Sequence, residues 1–451
     1  MKRLSVVPAS RLLGLVALCG VTALAAPLLQ LIDNEAALRA GDTAGHAARL
    51  LFGALLLLSL WDLWKLKRMP AVEVTREVAH TLPVNHWSEV TLRFSHSFGR
   101  PVMVEVFDFA PAGAGLKFMP RGFTLQAGRT GEVNYRLRPA QRGPADFGQT
   151  QVLIPSPLKL WSLSRMAGAP TQVRVYPDFA AISHFKLLAT DNRTSQLGIK
   201  RKQRRGEGLE FHQLRDYRDG DSLRQIDWKA TVRRHKLISK EYQDERDQQL
   251  FFMLDCGRRM RAQDDDLSHF DHSLNALMLL SYVALHQGDA VGLMSFAGEQ
   301  RWLVPMKSSA MVNTILNTVY DLQPTTQASD YLAAARTLVT RQRKRALVVI
   351  MTNLREEDCA ELMPAIRLLR RHHLVLVANL REQMLDHTLE RPVTGLEDAL
   401  AYLGTCEYLQ ERNELQSQLR QRGVLSIDTT PVELPVRVVN GYWEIKRSGA
   451  L

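Results

Sequence analysis

The chain has 451 residues, a formal net charge of +11 and 45% hydrophobic residues. This length and composition indicate about three folded domains and exclude a wholly disordered, collagen-like or disulfide-knotted protein. The positive charge is local, because the surplus comes from residues 193–205 and 222–240. Overall basicity therefore does not by itself indicate a nucleic-acid binder. The four cysteines are widely spaced and form no C-x-x-C pair, which favours a reducing compartment.

The N-terminal region contains two apolar stretches. Residues 12–32 carry no charge and are long enough to cross a hydrocarbon core of ~30 Å as a helix. Residues 47–64 form the second stretch, with Arg49 and Asp62 near its ends, where their side chains could reach the membrane interface. Basic residues precede the first stretch and follow the second, so the positive-inside rule places both chain ends in the cytoplasm. We predict that residues 1–68 are an anchor of two transmembrane helices.

Two other interpretations of this region remain open. Ala23-Leu24-Ala25 resembles the cleavage site of a secretory signal peptide, which also begins with a basic and then an apolar segment. In that case the second stretch would act as a stop-transfer segment and keep the bulk of the chain in the cytoplasm. Alternatively, the second stretch is a buried helix of a soluble domain.

Residues 70–180 have the sequence pattern of a small β-sandwich. This segment holds 11 of the 19 prolines, and apolar and polar residues alternate over 90–94, 102–107 and 133–138. Alternation bounded by Gly and Pro turns is typical of half-buried antiparallel strands. We therefore predict a β-sandwich with no catalytic group in it.

Residues 246–451 alternate between short apolar runs and helical patterns, which predicts a parallel sheet covered on both faces by helices. The predicted strands are 250–254, 290–296, 346–351, 374–378 and 424–427. The predicted helices are 269–286, 309–321, 328–342, 358–371 and 395–422. In doubly wound α/β folds, ligands bind at the carboxyl ends of the strands. The residues that follow the predicted strands are Asp255, Phe296, Thr352, Asn353, Asn379 and Asp428.

Residues 190–245 combine a basic linker with a segment dense in Arg and Asp. Asp219-Gly220-Asp221 predicts a turn, Arg224 and Asp227 are spaced to pair on a short helix, and Trp228 would be the apolar anchor. The segment is either a charged clamp between the two soluble domains or a surface that binds a protein partner. The residues predicted to form that partner-binding surface are Glu210, Arg215, Tyr217, Gly220, Asp221, Arg224, Asp227 and Trp228.

This segment resembles the signature of the DUF58 family, a bacterial family of unknown molecular function. It reads Gly-Leu-Glu-Phe, Arg-Asp-Tyr, Gly-Asp and Arg-Gln-Ile-Asp-Trp-Lys-Ala, followed by Arg233 and Leu237. The resemblance implies a multi-domain chain in a bacterial inner membrane, with two membrane spans, a β-rich domain, the signature and a doubly wound von Willebrand factor A-like domain. Genes of this family often lie beside one for a MoxR-type AAA+ ATPase, so the resemblance also implies a membrane-held adaptor of such an ATPase.

Domains of the von Willebrand A type often bind Mg²⁺ through an Asp-x-Ser-x-Ser loop, aided by a Thr and an Asp from later loops. A hard cation needs such oxygen ligands. Here Asp255 is kept, but Gly257 and Arg259 stand where the two serines would be, while Ser329 and Asn353 stand near the later positions. We predict a degenerate site that holds no metal, with Arg259 in the cation's place beside Asp255.

The acidic run Asp264-Asp265-Asp266 is expected to be a solvated turn. The sequence contains no Gly-rich phosphate loop, no H-E-x-x-H and no G-x-S-x-G motif, so we predict no catalytic residue, cofactor or small-molecule substrate. The basic run 193–205 has no interleaved aromatic residues, which favours contact with membrane lipid over nucleic acid.

The predicted function is that of a membrane-anchored, non-enzymatic protein-binding adaptor or scaffold. It would work with a MoxR-type AAA+ ATPase in the assembly or maturation of other proteins. Two alternatives remain open: a metal-dependent von Willebrand A adhesion module, and a hydrolase whose nucleophile would be Cys256 or Ser295.

Overall fold

The computed structural model describes residues 4–30, 35–177, 210–218, 221–243, 248–308 and 310–450. The chain divides into two compact units, Met1–Val175 and Tyr176–Leu451. The first unit is rich in β-sheet after a helical N-terminal region, and the second is an α/β unit, as the sequence predicts. Most of the predicted basic linker, residues 190–209, lies outside the described residues.

The first unit begins with strand β1 (Leu4–Pro8), helix α1 (Ser10–Gln30) and helix α2 (Glu35–Lys67). The two helices contact each other. Within α2, Gly45–Lys67 is long and apolar enough to cross a membrane, whereas the apolar part found in α1, Ser10–Leu24, is shorter. The described residues therefore contain one candidate span, where the sequence predicts two.

The rest of the first unit consists of antiparallel strands whose side chains alternate between buried and exposed. In β5, for example, Val102, Val104 and Val106 are buried while the residues between them face outwards. This period of two produces sheets with one apolar face, which is the reason that the segment folds as a sandwich. The strands are β2 (Glu73–Glu77), β3 (Thr81–Pro83), β4 (Ser88–Ser95), β5 (Val102–Asp108), β6 (Gly115–Lys117), β7 (Arg121–Leu125), β8 (Gly131–Arg138), β9 (Gly143–Phe147), β10 (Thr150–Pro155), β11 (Trp161–Ala167) and β12 (Thr171–Tyr176).

Three sheets are formed, in the strand orders β1-β11-β10-β5-β7, β2-β4-β8-β6 and β3-β12-β9. Strand β1 pairs with β11, so the residues that precede α1 belong to the first of these sheets. The end of α2 is attached to the same sheet through Asp62, which accepts hydrogen bonds from Ser156 Oγ at 2.5 Å and Leu158 N at 2.9 Å. Asp62 is buried in this contact, whereas the sequence predicts that it reaches a membrane interface.

The second unit begins with an antiparallel hairpin and continues as an α/β layer. Its elements are β13 (Glu210–Asp216), α3 (Trp228–Arg234), β14 (Ile238–Gln243), β15 (Gln249–Asp255), β16 (Gln263–Asp264), β17 (Leu267–Ser268), α4 (His269–His286), β18 (Ala290–Phe296), β19 (Trp302–Met306), α5 (Met311–Val319), α6 (Tyr331–Arg341), β20 (Leu347–Thr352), α7 (Cys359–Leu369), β21 (Leu374–Leu380), α8 (Gln383–Glu390), α9 (Leu396–Gln421), β22 (Leu425–Thr429) and α10 (Leu434–Ser448). Strands β13 and β14 pair with each other, and α3 lies between them in sequence.

Six strands form the main sheet of this unit, in the order β19-β18-β15-β20-β21-β22. The inner strands pair in parallel, and only the edge strand β19 runs antiparallel to its neighbour β18. Side chains of α4, α5 and α10 pack on one face of the sheet, and those of α6, α7 and α9 pack on the other. The strand order reverses between β15 and β20, which is where doubly wound folds place their ligands.

Candidate functional site

The carboxyl edge of the sheet is built around Asp255, the last residue of β15. Its carboxylate is buried and accepts four hydrogen bonds, all from uncharged groups. Oδ1 accepts from Gly257 N at 2.8 Å and Ser329 Oγ at 2.6 Å. Oδ2 accepts from Thr352 Oγ1 at 2.7 Å and Tyr331 OH at 3.3 Å. The oxygens that could face a cation are therefore engaged by protein donors.

Burial raises the pKa of Asp255 above its ordinary value, although the hydrogen bonds from Ser329, Thr352, Gly257 and Tyr331 act in the opposite direction. The carboxyl group thus lies in a medium that disfavours its charged form, and no cationic side chain is among the donors that bind it.

Gly257 is the residue that lets Ser329 reach Asp255. A Cβ atom at position 257 would lie 2.2 Å from Ser329 Oγ and 3.0 Å from Asp255 Oδ1. Any larger residue would push the Ser329 hydroxyl away from the carboxylate. The Ser329 hydroxyl, from the loop before α6, therefore occupies the space that a side chain at position 257 would need.

Arg259 does not take a cation's place beside Asp255, contrary to the sequence prediction. It lies on the short 3₁₀ turn Arg258–Arg261, where its guanidinium pairs with Asp358 and Glu357. The physical reason is that Asp255 is buried and already satisfied by neutral donors, whereas Glu357 is exposed and Asp358 remains partly accessible. Arg259 therefore ties the loop after β15 to the loop after β20.

Asn353, the residue after β20, belongs to a separate buried polar cluster. Its Nδ2 donates to Glu382 Oε1 at 3.0 Å and lies 3.3 Å from His269 Nδ1. The other ring nitrogen of His269, Nε2, lies 2.8 Å from Asp264 Oδ2. Because the Asn353 amide nitrogen can only donate, His269 accepts at Nδ1 and donates from Nε2 to Asp264.

Asp264 is thus a buried hydrogen-bond partner of His269, and the prediction that it lies in a solvated turn is wrong. His269 is held in place because it is the first residue of α4. The preceding Ser268 caps this helix by accepting from Asp271 N, and the side chain of Asp271 accepts from Ser268 N, which completes a capping box. The capping hydrogen bonds at the start of α4 therefore fix the position of the buried His269 imidazole at the edge of the sheet.

Arg412 of α9 joins the ends of β20, β21 and β22. It donates to the backbone oxygens of Leu354 at 3.0 Å and Leu380 at 2.9 Å, and to Asp428 Oδ1 at 2.5 Å. Asn379 Nδ2 donates to the same Asp428 oxygen at 2.8 Å. Burial acts to lower the pKa of Arg412, but the Asp428 carboxylate raises it above its ordinary value.

The two nucleophile candidates named from the sequence, Ser295 and Cys256, both lie against backbone groups. Ser295 Oγ donates to the backbone oxygen of Glu299 at 2.6 Å and accepts from Arg301 N at 2.8 Å, so it closes a turn. The Cys256 sulfur is buried and lies 3.9 Å from the backbone oxygen of Leu254. Within the described residues, three or more His, Cys, Asp or Glu side chains are nowhere arranged to hold a metal ion.

The signature segment places its predicted residues in two local groups. Arg215 donates to both oxygens of Asp221, at 2.7 and 2.8 Å, and the Arg215 guanidinium holds the pKa of that carboxyl below its usual range. Tyr217 OH donates to the backbone oxygen of Asp221 at 3.3 Å. Asp227 caps α3 by accepting from Ala230 N at 2.9 Å. Gly220 and the side chains of Glu210 and Arg224 lie outside the described residues.

Trp228 is 64% exposed, so it is not the buried anchor that the sequence predicts. Val232 lies one turn further along α3 and is 72% exposed. Leu223 and Leu237, on either side of this helix in the chain, are exposed as well. We call these four side chains the signature apolar surface. Trp228 and Val232 share one face of α3 because they are four residues apart, and large exposed apolar side chains of this kind are typical of a binding surface.

Residues 213–406 match the family described as a protein of unknown function, DUF58. No curated protein matches the chain. Among solved structures, it is similar over 24% of its length to the native alpha-2-macroglobulin of Escherichia coli (15% identity, TM-score 0.21) and spans 17% of that chain. The same share is similar to a CARDB domain from Pyrococcus furiosus (14% identity, 90% of that chain, TM-score 0.16). It is also similar to a cohesin module from Clostridium perfringens (12% identity, 98% of that chain, TM-score 0.17).

Proposed function

We propose that this chain, which belongs to the DUF58 family through residues 213–406, is a membrane-anchored, non-enzymatic protein-binding adaptor. Its partner would be a MoxR-type AAA+ ATPase, and the complex would act in the assembly or maturation of other proteins. The proposal rests on how the carboxyl edge of the sheet is built and on how the signature segment is exposed.

The observation that carries the proposal is the saturation of Asp255 by four neutral donors. The α/β unit has the strand order of a doubly wound sheet, and we interpret it as a von Willebrand factor A-like domain. In this interpretation, hydrogen bonds from Gly257 and Ser329 to Asp255 take the place of a bound cation. Binding of another polypeptide would then depend on side chains around this edge and not on a bridging ion.

The helical N-terminal region supports membrane attachment. Gly45–Lys67 has the length and hydropathy of a span, and we propose that α1 is a second one. The strand before α1 and the Asp62 contact near the end of α2 are both held by the sheet that contains β11. A helix pair whose two ends are fixed to one soluble domain would cross a bilayer and return. With basic residues flanking the pair, the positive-inside rule puts the soluble units in the cytoplasm, at the bacterial inner membrane.

The ATPase would dock on the charged part of the signature segment. Arg215 and Asp221 form a partly exposed ion pair, and Arg218 beside them is exposed. Charged groups of this kind steer a partner and set orientation more than they add affinity. The carboxyl edge of the sheet, where Glu357 is exposed beside Arg259, would supply further polar contacts.

The test is site-specific crosslinking in membranes of the native host. A photo-crosslinking residue at Arg218 reports on the signature segment, and one at Arg343 is the matched control, because both positions are exposed. We expect an AAA+ ATPase to be recovered from position 218 and not from position 343. Arg215→Ala should reduce that recovery by about tenfold, since it leaves Asp221 without its bidentate partner.

Repeated recovery of no ATPase from position 218, with the protein abundant, would contradict the proposal. Equal recovery from both positions would do the same, because it would show that the contact is not made by the signature segment.

A further inference from the structure

The first half of α9 carries an apolar stripe that the described part of the chain leaves exposed. Leu396 is 77% exposed, and Leu400 and Leu403 are exposed on the same helical face because they follow it at the i+4 and i+7 positions. Glu407 continues this face one turn later and is also exposed. A helix that packs only against its own sheet would bury such a stripe, as α9 does further on with Leu415.

The surroundings of this stripe are acidic. Met384 of α8 and Val393 in the following loop are further exposed apolar residues of the same region, and α8 contacts α9. Asp386 is paired with Arg381 at 2.9 Å. The other carboxylates of residues 383–407 are Glu390, Glu397, Asp398 and Glu407, against the single arginine Arg391. We call Leu396, Leu400, Leu403 and these carboxylates the acidic stripe.

The signature apolar surface is surrounded by positive charge, opposite in sign to the acidic stripe. Residues 222–240 contain six basic residues against one aspartate, and Lys229, Arg233, Arg234 and Lys236 are exposed around Trp228 and Val232. Both surfaces are accessible in the same folded unit, so neither is covered by the other within one copy of the chain. Both surfaces have an apolar centre, and the charges around the two centres are opposite in sign, so the surfaces are complementary.

We propose that the signature apolar surface of one copy of this chain binds the acidic stripe of a second copy. The two surfaces are different, so the contact is head-to-tail, and repetition builds a ring or an open row of chains. An anionic bilayer does not suit the acidic stripe, because its carboxylates would be repelled by the lipid headgroups. The proposal shares the signature segment with the adaptor function but needs no ATPase.

The test measures self-association of the purified full chain in detergent micelles by sedimentation velocity, with no ATPase present. We expect assemblies that grow with protein concentration and weaken as salt is raised, since the exposed charges are screened. The charge reversals K229E/R233E and E397K/E407K should each weaken association by about tenfold or more. Their combination in one chain should restore most of it, because the charges are then opposite again.

R343E/K344E is the matched control, because it makes the same charge change at exposed positions outside both surfaces and should leave association unchanged. A chain that stays monomeric at all concentrations would overturn the proposal, and so would a combined variant that is not restored. Loss of ATPase crosslinking at position 218 in chains that still self-associate would count against the adaptor function alone.

Discussion

Ser329 donates its hydroxyl hydrogen to Asp255 across 2.6 Å, in the space that a side chain at position 257 would need. Because Gly257 has no side chain, Ser329 can donate a hydrogen bond to the buried carboxylate of Asp255. This relationship gives the most direct test of how the carboxyl edge is held together.

Gly257→Ala should destabilise the α/β unit by about 1–3 kcal/mol, because the added methyl group displaces Ser329 or Asp255 from a buried hydrogen bond. The measurement is the shift of the denaturant midpoint of the full chain. Gly404→Ala is the matched control: it lies in α9, nothing surrounds a Cβ there within 4 Å, and alanine is the better helix former. Equal midpoints for the two variants would contradict the steric argument.

Asp255→Asn should change how stability depends on pH. Burial raises the folded-state pKa of Asp255, so the folded chain holds this proton more tightly than the unfolded chain does. Stability contributed by the protonated form is present below the unfolded pKa of ~4 and is lost as pH rises through the folded value.

The amide has no such titration, and Thr352 and Tyr331 can turn their hydroxyls to accept from it. The unfolding free energy of the wild type relative to Asp255→Asn should therefore fall with rising pH above ~4. Denaturant unfolding at a series of pH values measures this difference. A difference that rises with pH would show that the hydrogen bonds outweigh burial.

Much of the second unit could be predicted because its strands are continuous apolar runs with helical patterns between them. The predicted helix 395–422 corresponds to Leu396–Gln421, and Asp255 and Asn353, which the sequence predicts after strand ends, lie at the same edge of the parallel sheet. The sequence does not predict strand β19, because it is an edge strand with Pro305 inside it and has only partly buried or exposed side chains.

The buried polar cluster could not be predicted, since its members come from distant parts of the chain. Asp264 stands in an acidic run that is typical of a solvated loop, but it is buried against His269 and accepts from Gln383 N. Arg412 did leave a signal: it lies at helical spacing from the buried Leu415 and Leu419, on the apolar side of α9. A charged residue in an apolar stripe indicates a buried partner, here Asp428.

Arg412→Met should destabilise the α/β unit by about 3–5 kcal/mol, because it leaves the Asp428 carboxylate and two buried backbone oxygens short of donors. Thermal or denaturant unfolding measures the loss. The double variant R412M/D428N should recover part of it, since the uncompensated charge is then removed. Arg336→Gln, at an exposed position of α6, is the control and should stay within about 0.5 kcal/mol of the wild type. Similar effects at positions 412 and 336 would refute the role given to Arg412.

Asp62→Ala should loosen the turn Ser156–Leu160 from the end of α2, because the turn loses the acceptor of three hydrogen bonds. We expect faster amide hydrogen exchange at Leu158 and Leu160, and unchanged exchange in β4 on a different sheet. Asp146→Ala, which removes an exposed hydrogen bond to Gln172, is the comparison and should not affect the turn. Unchanged protection at Leu158 would mean that Asp62 does not hold the turn.

The pairing of β1 with β11 means that this sheet is completed late in synthesis. Leu4–Pro8 leaves the ribosome long before Trp161–Ala167, and both helices of the N-terminal region are translated in between. When β11 pairs with β1, helices α1 and α2 have therefore already been made and lie between the two strands in sequence. In a chain without Leu4–Pro8, one edge of β11 would lack its partner strand. This edge could then pair with a wrong strand during synthesis.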